Sequence, residues 1–433
     1  MSSILITSTP VVGHITPLLP VAQQLVDAGH RVRVLTGARY REAVEGTGAT
    51  FIALPAAADY DDRELDTAFP GRVGLTGPAA IRYDMQAIFL APMPAQAEAV
   101  DSALADEPVD VVLAEPLFAG LAPLLGRPRA ERPAILVLGT IPLGLSSRET
   151  APFGLGILPM PGPLGRLRNS ILRVITEKVV FGPVQKEAER QHRLITGRPY
   201  PGFFLNWPAI SDGVVQFSVP GFEYPRPDVR TEVDFIGPVS RSAAGTRTKL
   251  PEWWGDLDEG RPVVHVSQGT VANNDFDELL LPTIRGLADR DVLVVATTGG
   301  RDVSALAEEL PANARVAEFL PYDALFPKVD AFVTNGGYGG VHFALGHGVP
   351  MVVAGMTEDK AEVSARIEWT GTGVNLRTNS PSPDQVASAV DRVLAEPGFR
   401  AAAQRLATEI SAAPGVAGIL PIIDRHASAV RAG

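Results

Sequence analysis

Ser3-Ile-Leu-Ile-Thr-Ser8, running into Thr9-Pro-Val-Val-Gly-His14 and then into Leu18–Ala28, is the stretch that decides the fold. Between Ser3 and Ser8 its residues are apolar or β-branched, a run short enough for one buried strand. In the last part Leu18, Val21, Ala22, Leu25 and Val26 share one helical face, and Gly29 stops the helix. Four further strand-like runs follow in the first half: Arg31–Thr36, Thr50–Leu54, Val109–Ala114 and Ala134–Gly139. Strands alternating with helices predict a parallel sheet covered on both faces. The same grammar restarts at Pro262–Ser267 and continues through Val292–Thr297, Ala314–Glu318, Ala331–Thr334 and Pro350–Ala354. Ser382-Pro-Asp-Gln385 has the N-cap, the proline and the Gln of a capping box, so a helix is expected there. The fold class is therefore α/β, with two doubly wound Rossmann-like domains facing across a cleft. The boundaries expected are residues 1–218 and 250–413 for the domains, with a linker over 219–249 that holds the polar stretch Ser240–Lys249. Residues 414–433, with Pro414 and Pro421 and few helix signals, are expected to cross back onto the first domain.

A chain of 433 residues with 45% hydrophobic and 20% charged residues has enough apolar surface for two cores. Its formal charge is 38 − 49 = −11, without a basic face, which argues against a nucleic-acid partner. The most apolar stretch, Val109–Gly126, is interrupted by Asp110, Glu115, Pro116 and Pro123, so no membrane span is expected. The N-terminus has no basic region of the signal-peptide kind, and a cytoplasmic location is expected. Zero cysteines removes thiolate nucleophiles, disulfides and cysteine-ligated metals together. The sequence does not indicate an oligomeric state.

In open parallel sheets ligands bind at the carboxyl ends of strands, where the strand order reverses. If the first and fourth strands of each half are neighbours, His14 and Glu115 meet although about a hundred residues separate them. A carboxylate that orients an imidazole makes a general base. A capping histidine beside a solvated glutamate is the plainer alternative. In the second half the matching ends carry Ser267-Gln-Gly-Thr270 and Asn335-Gly-Gly-Tyr-Gly-Gly340. Hydroxyls of Ser267 and Thr270 and backbone N–H groups around Gly269, Gly337, Gly339 and Gly340 suit a phosphate at a helix N-terminus. Tight turns for helix–sheet packing explain the same glycines. Glu358-Asp-Lys360 places three charges at the end of the fifth strand, suited to sugar hydroxyls or to a solvated face. Asp256-Leu-Asp258 reads as surface, His265 as a sheet histidine, and no spacing resembles a metal site. His342, in the first turn after the glycines, is read as structural, with a phosphate contact there as the alternative. The apolar, Pro- and Gly-rich segment Thr150–Gly165 reads as a mobile loop over a site.

Gly13-His-Ile-Thr-Pro-Leu-Leu19, Val266-Ser-Gln-Gly-Thr270 and Phe319–Lys360 resemble the signature segments of inverting, nucleotide-sugar-dependent glycosyltransferases of the GT-B fold. The branch that matches best is the bacterial macrolide-type natural-product transferases. The resemblance implies His14 as the base that deprotonates an acceptor hydroxyl, with Glu115 where an Asp is usual. It implies Phe319 and Leu320 at the nucleobase and Asp359 at the donor sugar. Asn335 stands where a His usually reaches the diphosphate, Phe343 where a Glu binds the ribose, and Lys360 where a Gln is frequent. The implied substrates are a UDP- or TDP-linked sugar and a hydrophobic acceptor, with no further cofactor and no metal. Apolar loops of the first half, including Phe69, Tyr83, Phe89, Ile141 and Phe153, are the candidate acceptor contacts. An epimerase of the same fold and a catalytically silent sugar-nucleotide-binding helper are the alternatives.

Overall fold

In a computed structural model the described residues are 1–75, 77–239, 250–270, 273, 275–304, 306 and 310–431. Seven parallel strands form the first sheet: β1 (Ser3–Thr7), β2 (Arg31–Thr36), β3 (Thr50–Ala53), β4 (Val111–Ala114), β5 (Ala134–Gly139), β6 (Gly213–Gln216) and β7 (Val233–Phe235). Their spatial order is 3-2-1-4-5-6-7. Six more form the second sheet, also all parallel: β8 (Val263–Ser267), β9 (Leu293–Thr297), β10 (Ala314–Ala317), β11 (Ala331–Thr334), β12 (Met351–Val353) and β13 (Gly373–Asn375). Their order, 10-9-8-11-12-13, repeats the first one.

The period of two along each strand feeds a separate core on each face. Ile4, Ile6, Val111 and Leu113 point into one, while Leu5 and Val112 point into the other. In the second sheet Val264, Val266 and Val294 divide in the same way from Val263, Leu293 and Val295. Both faces are apolar, so both must be covered by helices, and this is the doubly wound arrangement. The strand order reverses between β1 and β4 and again between β8 and β11, which puts one crevice in each sheet.

Two segments differ from the sequence expectation. The stretch 219–249 is more than a linker: Val219 and Phe222 pack in the second domain, and the chain then returns to form β7 and bury Ile236 and Val239 in the first. β7 is three residues long with half-buried side chains, too short for a periodic signal. Ser240–Lys249 lies outside the described residues. The C-terminal segment is helical over Ile419–Arg431, and Pro421 sits in its first turn, where a missing N–H costs nothing. Ile419, Ile422 and Ile423 of this helix pack against Ile4 and Ile6 of β1 in one core of the first domain. No single helix among the described residues is long and apolar enough to cross a membrane.

Candidate active site

β1 ends in Thr7 and the chain turns into the short helix Val12–Ile15, which carries His14. β4, paired to β1, ends in Ala114 and delivers Glu115 to the same crevice. The two side chains meet, with His14 Nδ1 2.8 Å from Glu115 Oε2. Glu115 is fully buried and completely satisfied. Its Oε1 accepts from Thr9 Oγ1 at 2.9 Å and Thr9 N at 3.3 Å, and its Oε2 also accepts from Leu117 N at 2.7 Å. His14 keeps 13% of its side chain exposed, and its Nε2 has no partner among the described residues. The Phe89 ring packs on the imidazole at 5.6 Å.

Burial by itself would lower the pKa of His14. The charge and hydrogen bond of Glu115 outweigh it, Asp359 and Glu358 add to the effect from the other domain, and the net shift is upward. For Glu115 burial acts upward, but His14, Leu117 N–H and Thr9 hold it below the usual carboxylate range. The pair is thus a fixed carboxylate and an imidazole with one free nitrogen.

On the facing domain the ends of β8 and β11 are neighbours, and their loops touch: Asn335 Nδ2 donates to Gln268 O at 2.5 Å. Gly269 has φ +75° and Gly336 φ +89°, left-handed conformations that turn both loops tightly. Gly337 caps the helix Tyr338–Gly346, so the free N–H groups of its first turn, including those of Gly339 and Gly340, open onto the crevice. A Cβ on Gly337 would meet only Asn335 Oδ1, at 3.9 Å. Ser267 Oγ accepts from Gly269 N at 3.2 Å, and Thr270 follows as an exposed residue. Phe319 is 38% exposed, whereas Leu320 is buried in the core and offers only its backbone. At the end of β12, Glu358 holds φ +54°, a strained conformation for a residue with a side chain, and its carboxylate pairs with Lys360 Nζ. Asp359 is pushed up to about 6 by burial and by Glu358, against the pull of Lys360.

An apolar cavity opens beside the dyad, beginning at Pro116 and Leu117 just past Glu115. Its volume is about 80 Å³ and its mouth opens to solvent. Ile141 and Phe153 line it, as do Leu143, Ile157, Phe203 and Tyr224.

The model of the erythromycin biosynthesis protein CIII-like C-terminal domain matches residues 282–424. The chain is 44% identical to 4'-demethylrebeccamycin synthase of Lentzea aerocolonigenes, over 97% of this chain and 98% of that protein. It is 36% identical to UDP-glycosyltransferase 2 of Phaeomoniella chlamydospora, over 98% and 96%. Among solved structures, CalG4, the calicheamicin glycosyltransferase, superposes with a TM-score of 0.72 over 99% of both chains at 19% identity. The chain belongs to the GT-B glycosyltransferases.

Within this glycosyltransferase the remaining sequence-based candidates pack against neighbouring side chains. Phe69 packs edge-on against Tyr60 at 5.0 Å, and the Tyr83 hydroxyl sits against Gly71, so neither lines the cavity. His342 is buried, bonded to Ser218 Oγ at 2.8 Å and Tyr338 O at 2.9 Å, and lowered to about 4 by burial; it joins the domains rather than facing a phosphate. Phe343 packs against Tyr322 and Phe326 in the core of the second domain. As the sequence predicts, His265 is a core residue stacked on Phe332, and Asp258 lies on the surface paired with Lys328, beside the half-buried Asp256 paired with Arg315.

The expected mobile loop is docked instead. Gly154 N and Gly156 N both donate to Glu362 Oε1 of the second domain, at 2.9 and 3.0 Å. Glu362 and Glu223 flank Arg366, each at 2.8 Å, and Arg366 also donates to Leu143 O under the Tyr224 ring. Sequence reasoning missed this buried trio. Glu362 and Arg366 are one helical turn apart, which was visible, but Glu223 is remote in the chain and nothing marked it.

Proposed function

We propose that this glycosyltransferase is inverting and moves a sugar from a UDP- or TDP-linked donor to a hydroxyl of a lipophilic natural product, with His14 as general base. The observation that carries the reading is the free Nε2 of His14, held by Glu115 beside an apolar cavity and facing the Asp359 and Glu358 charges of the other domain. The acceptor oxygen attacks the anomeric carbon while its proton passes to Nε2. The bond from that carbon to the diphosphate oxygen breaks on the opposite face, and the nucleoside diphosphate leaves with the electron pair. Glu115 stabilises the imidazolium as it forms.

The leaving group would sit on the Ser267 and Thr270 hydroxyls, the Asn335 amide and the N–H groups at Gly337, Gly339 and Gly340. Phe319 offers an exposed ring for the nucleobase, and Glu358, Asp359 and Lys360 stand at the sugar end. Phe89, Ile141 and Phe153 would contact the acceptor. Donors of this kind replace a cation at the diphosphate, so turnover should survive a chelator. The similar proteins named as a rebeccamycin-type synthase and a UDP-glycosyltransferase support a natural-product acceptor and a nucleotide-sugar donor.

The test is an incubation with α-linked UDP- and TDP-sugars and a panel of apolar alcohols and phenols, the products being read by NMR. A β-glycoside formed in the presence of chelator is expected. An α-glycoside, or turnover that stops with chelator, would overturn the inverting, metal-independent mechanism.

A further inference from the structure

The helix Gly162–Val174 continues through the π-helical turn Ile175–Val180 and is followed by the helix Gly182–Thr196. On its inner side Arg173, Thr176 and Glu177 line the apolar cavity. On its outer side Leu164, Leu167, Ile171, Val174, Ile175 and Val179 recur at helical spacing and are 45–75% exposed. On the second helix Leu194 is also 73% exposed. A contiguous apolar face of this kind marks a surface that is covered in use.

Its charge says by what. Residues 162–196 contain seven Lys or Arg and three Glu, a net of +4, whereas the rest of the chain carries 31 − 46 = −15. Arg166, Lys178, Lys186, Arg190 and Arg193 are all exposed, while Glu177, Glu187 and Glu189 are only partly so. A self-complementary dimer would set this basic face against its own copy. An amphipathic helix with basic residues beside an apolar stripe fits an anionic bilayer, where it lies in the interface.

We propose that the exposed apolar face of the helix running through residues 162–180, with the basic residues beside it, docks on an anionic lipid surface, with the acceptor cavity directly behind it. The docking goes beyond the reaction; only its use, the loading of a lipophilic acceptor from the bilayer, rests on the function proposed above.

Co-sedimentation of the full chain with phosphatidylcholine vesicles, with and without phosphatidylglycerol, tests it in the absence of any substrate. Binding to the phosphatidylglycerol vesicles is expected, weakening with salt as the charges are screened. Leu167→Ser, Ile171→Ser and Val179→Ser together should lower the partition coefficient by about tenfold or more, because the apolar face drives insertion. Lys178→Glu with Lys186→Glu should remove the preference for phosphatidylglycerol. These side chains are exposed and outside the cavity, so both variants should melt normally and keep their turnover on a water-soluble acceptor. Failure of the parent chain to bind phosphatidylglycerol vesicles would overturn the proposal, even if turnover is intact. A dimer that the three-serine variant dissociates without lipid would overturn it too, assigning the face to a second copy.

Discussion

Glu115 accepts hydrogen bonds from Thr9 N, Thr9 Oγ1 and Leu117 N, all of which favour its ionised form. An ionised carboxylate at Nδ1 places the proton of a neutral imidazole there and leaves the Nε2 lone pair free. Because the His14 pKa is raised above 6.5, the base is disabled as pH falls through that raised value. The acid limb of the kcat–pH profile at saturating substrates should therefore lie above 6.5. Glu115→Gln removes the charge, so the limb should move to lower pH while the plateau falls; a limb that stays in place would separate it from His14. The dyad was legible in the sequence because β1 and β4 are defined by apolar runs whose ends could be numbered. Thr9 was not, since nothing in a Thr-Pro pair signals which carboxylate its hydroxyl reaches. Phe69 and Tyr83 pack on Tyr60 and against Gly71, because aromatic residues pack on one another as readily as on a ligand.

At the scale of elements, the donor loops and the docked loop make different demands. The space around Gly337 is open, so Gly337→Val should leave the fold intact and put bulk where a diphosphate would approach the helix N-terminus. Calorimetry should then show nucleotide affinity at least about tenfold weaker, the loss of a little over 1.4 kcal/mol; unchanged affinity would move the phosphates elsewhere. Arg366 is fully buried between Glu223 and Glu362. Arg366→Ala strands both carboxylates and should cost about 3–5 kcal/mol in denaturant unfolding. A cost below about 1 kcal/mol, the range of exposed pairs, would mean that the trio is hydrated. Long elements with punctuation were legible: Ser382 and Gln385 form the expected capping box on the helix Pro383–Ala395. β7 and β13, at three residues each, gave no period to detect. The docking of Gly154 and Gly156 on Glu362 was equally hidden, because a Gly-rich loop looks the same whether it is free or held.

The whole molecule is two sheets of the same strand order, tied together by a C-terminal helix that leaves the second domain and completes the core of the first. Deleting residues 419–431 removes three core isoleucines, each worth about 1.5–3 kcal/mol. Against a domain stability of about 5–15 kcal/mol, that loss should abolish or sharply lower the cooperative melting of the first domain. An unchanged melting temperature would show the helix to be ornamental. The doubled alternation made the architecture legible from sequence. The way the connection dips into the second domain and returns as β7 was not, since it depends on contacts between remote segments. The central claim is that a base on the first domain acts on a sugar held by the second. Its most direct test is turnover of His14→Ala at saturating donor, measured with nucleotide affinity on the same preparation. Turnover should fall by about 10²–10⁴-fold, the usual worth of general-base catalysis, with nucleotide affinity unchanged. Near-normal turnover on a hydroxyl acceptor would contradict the account.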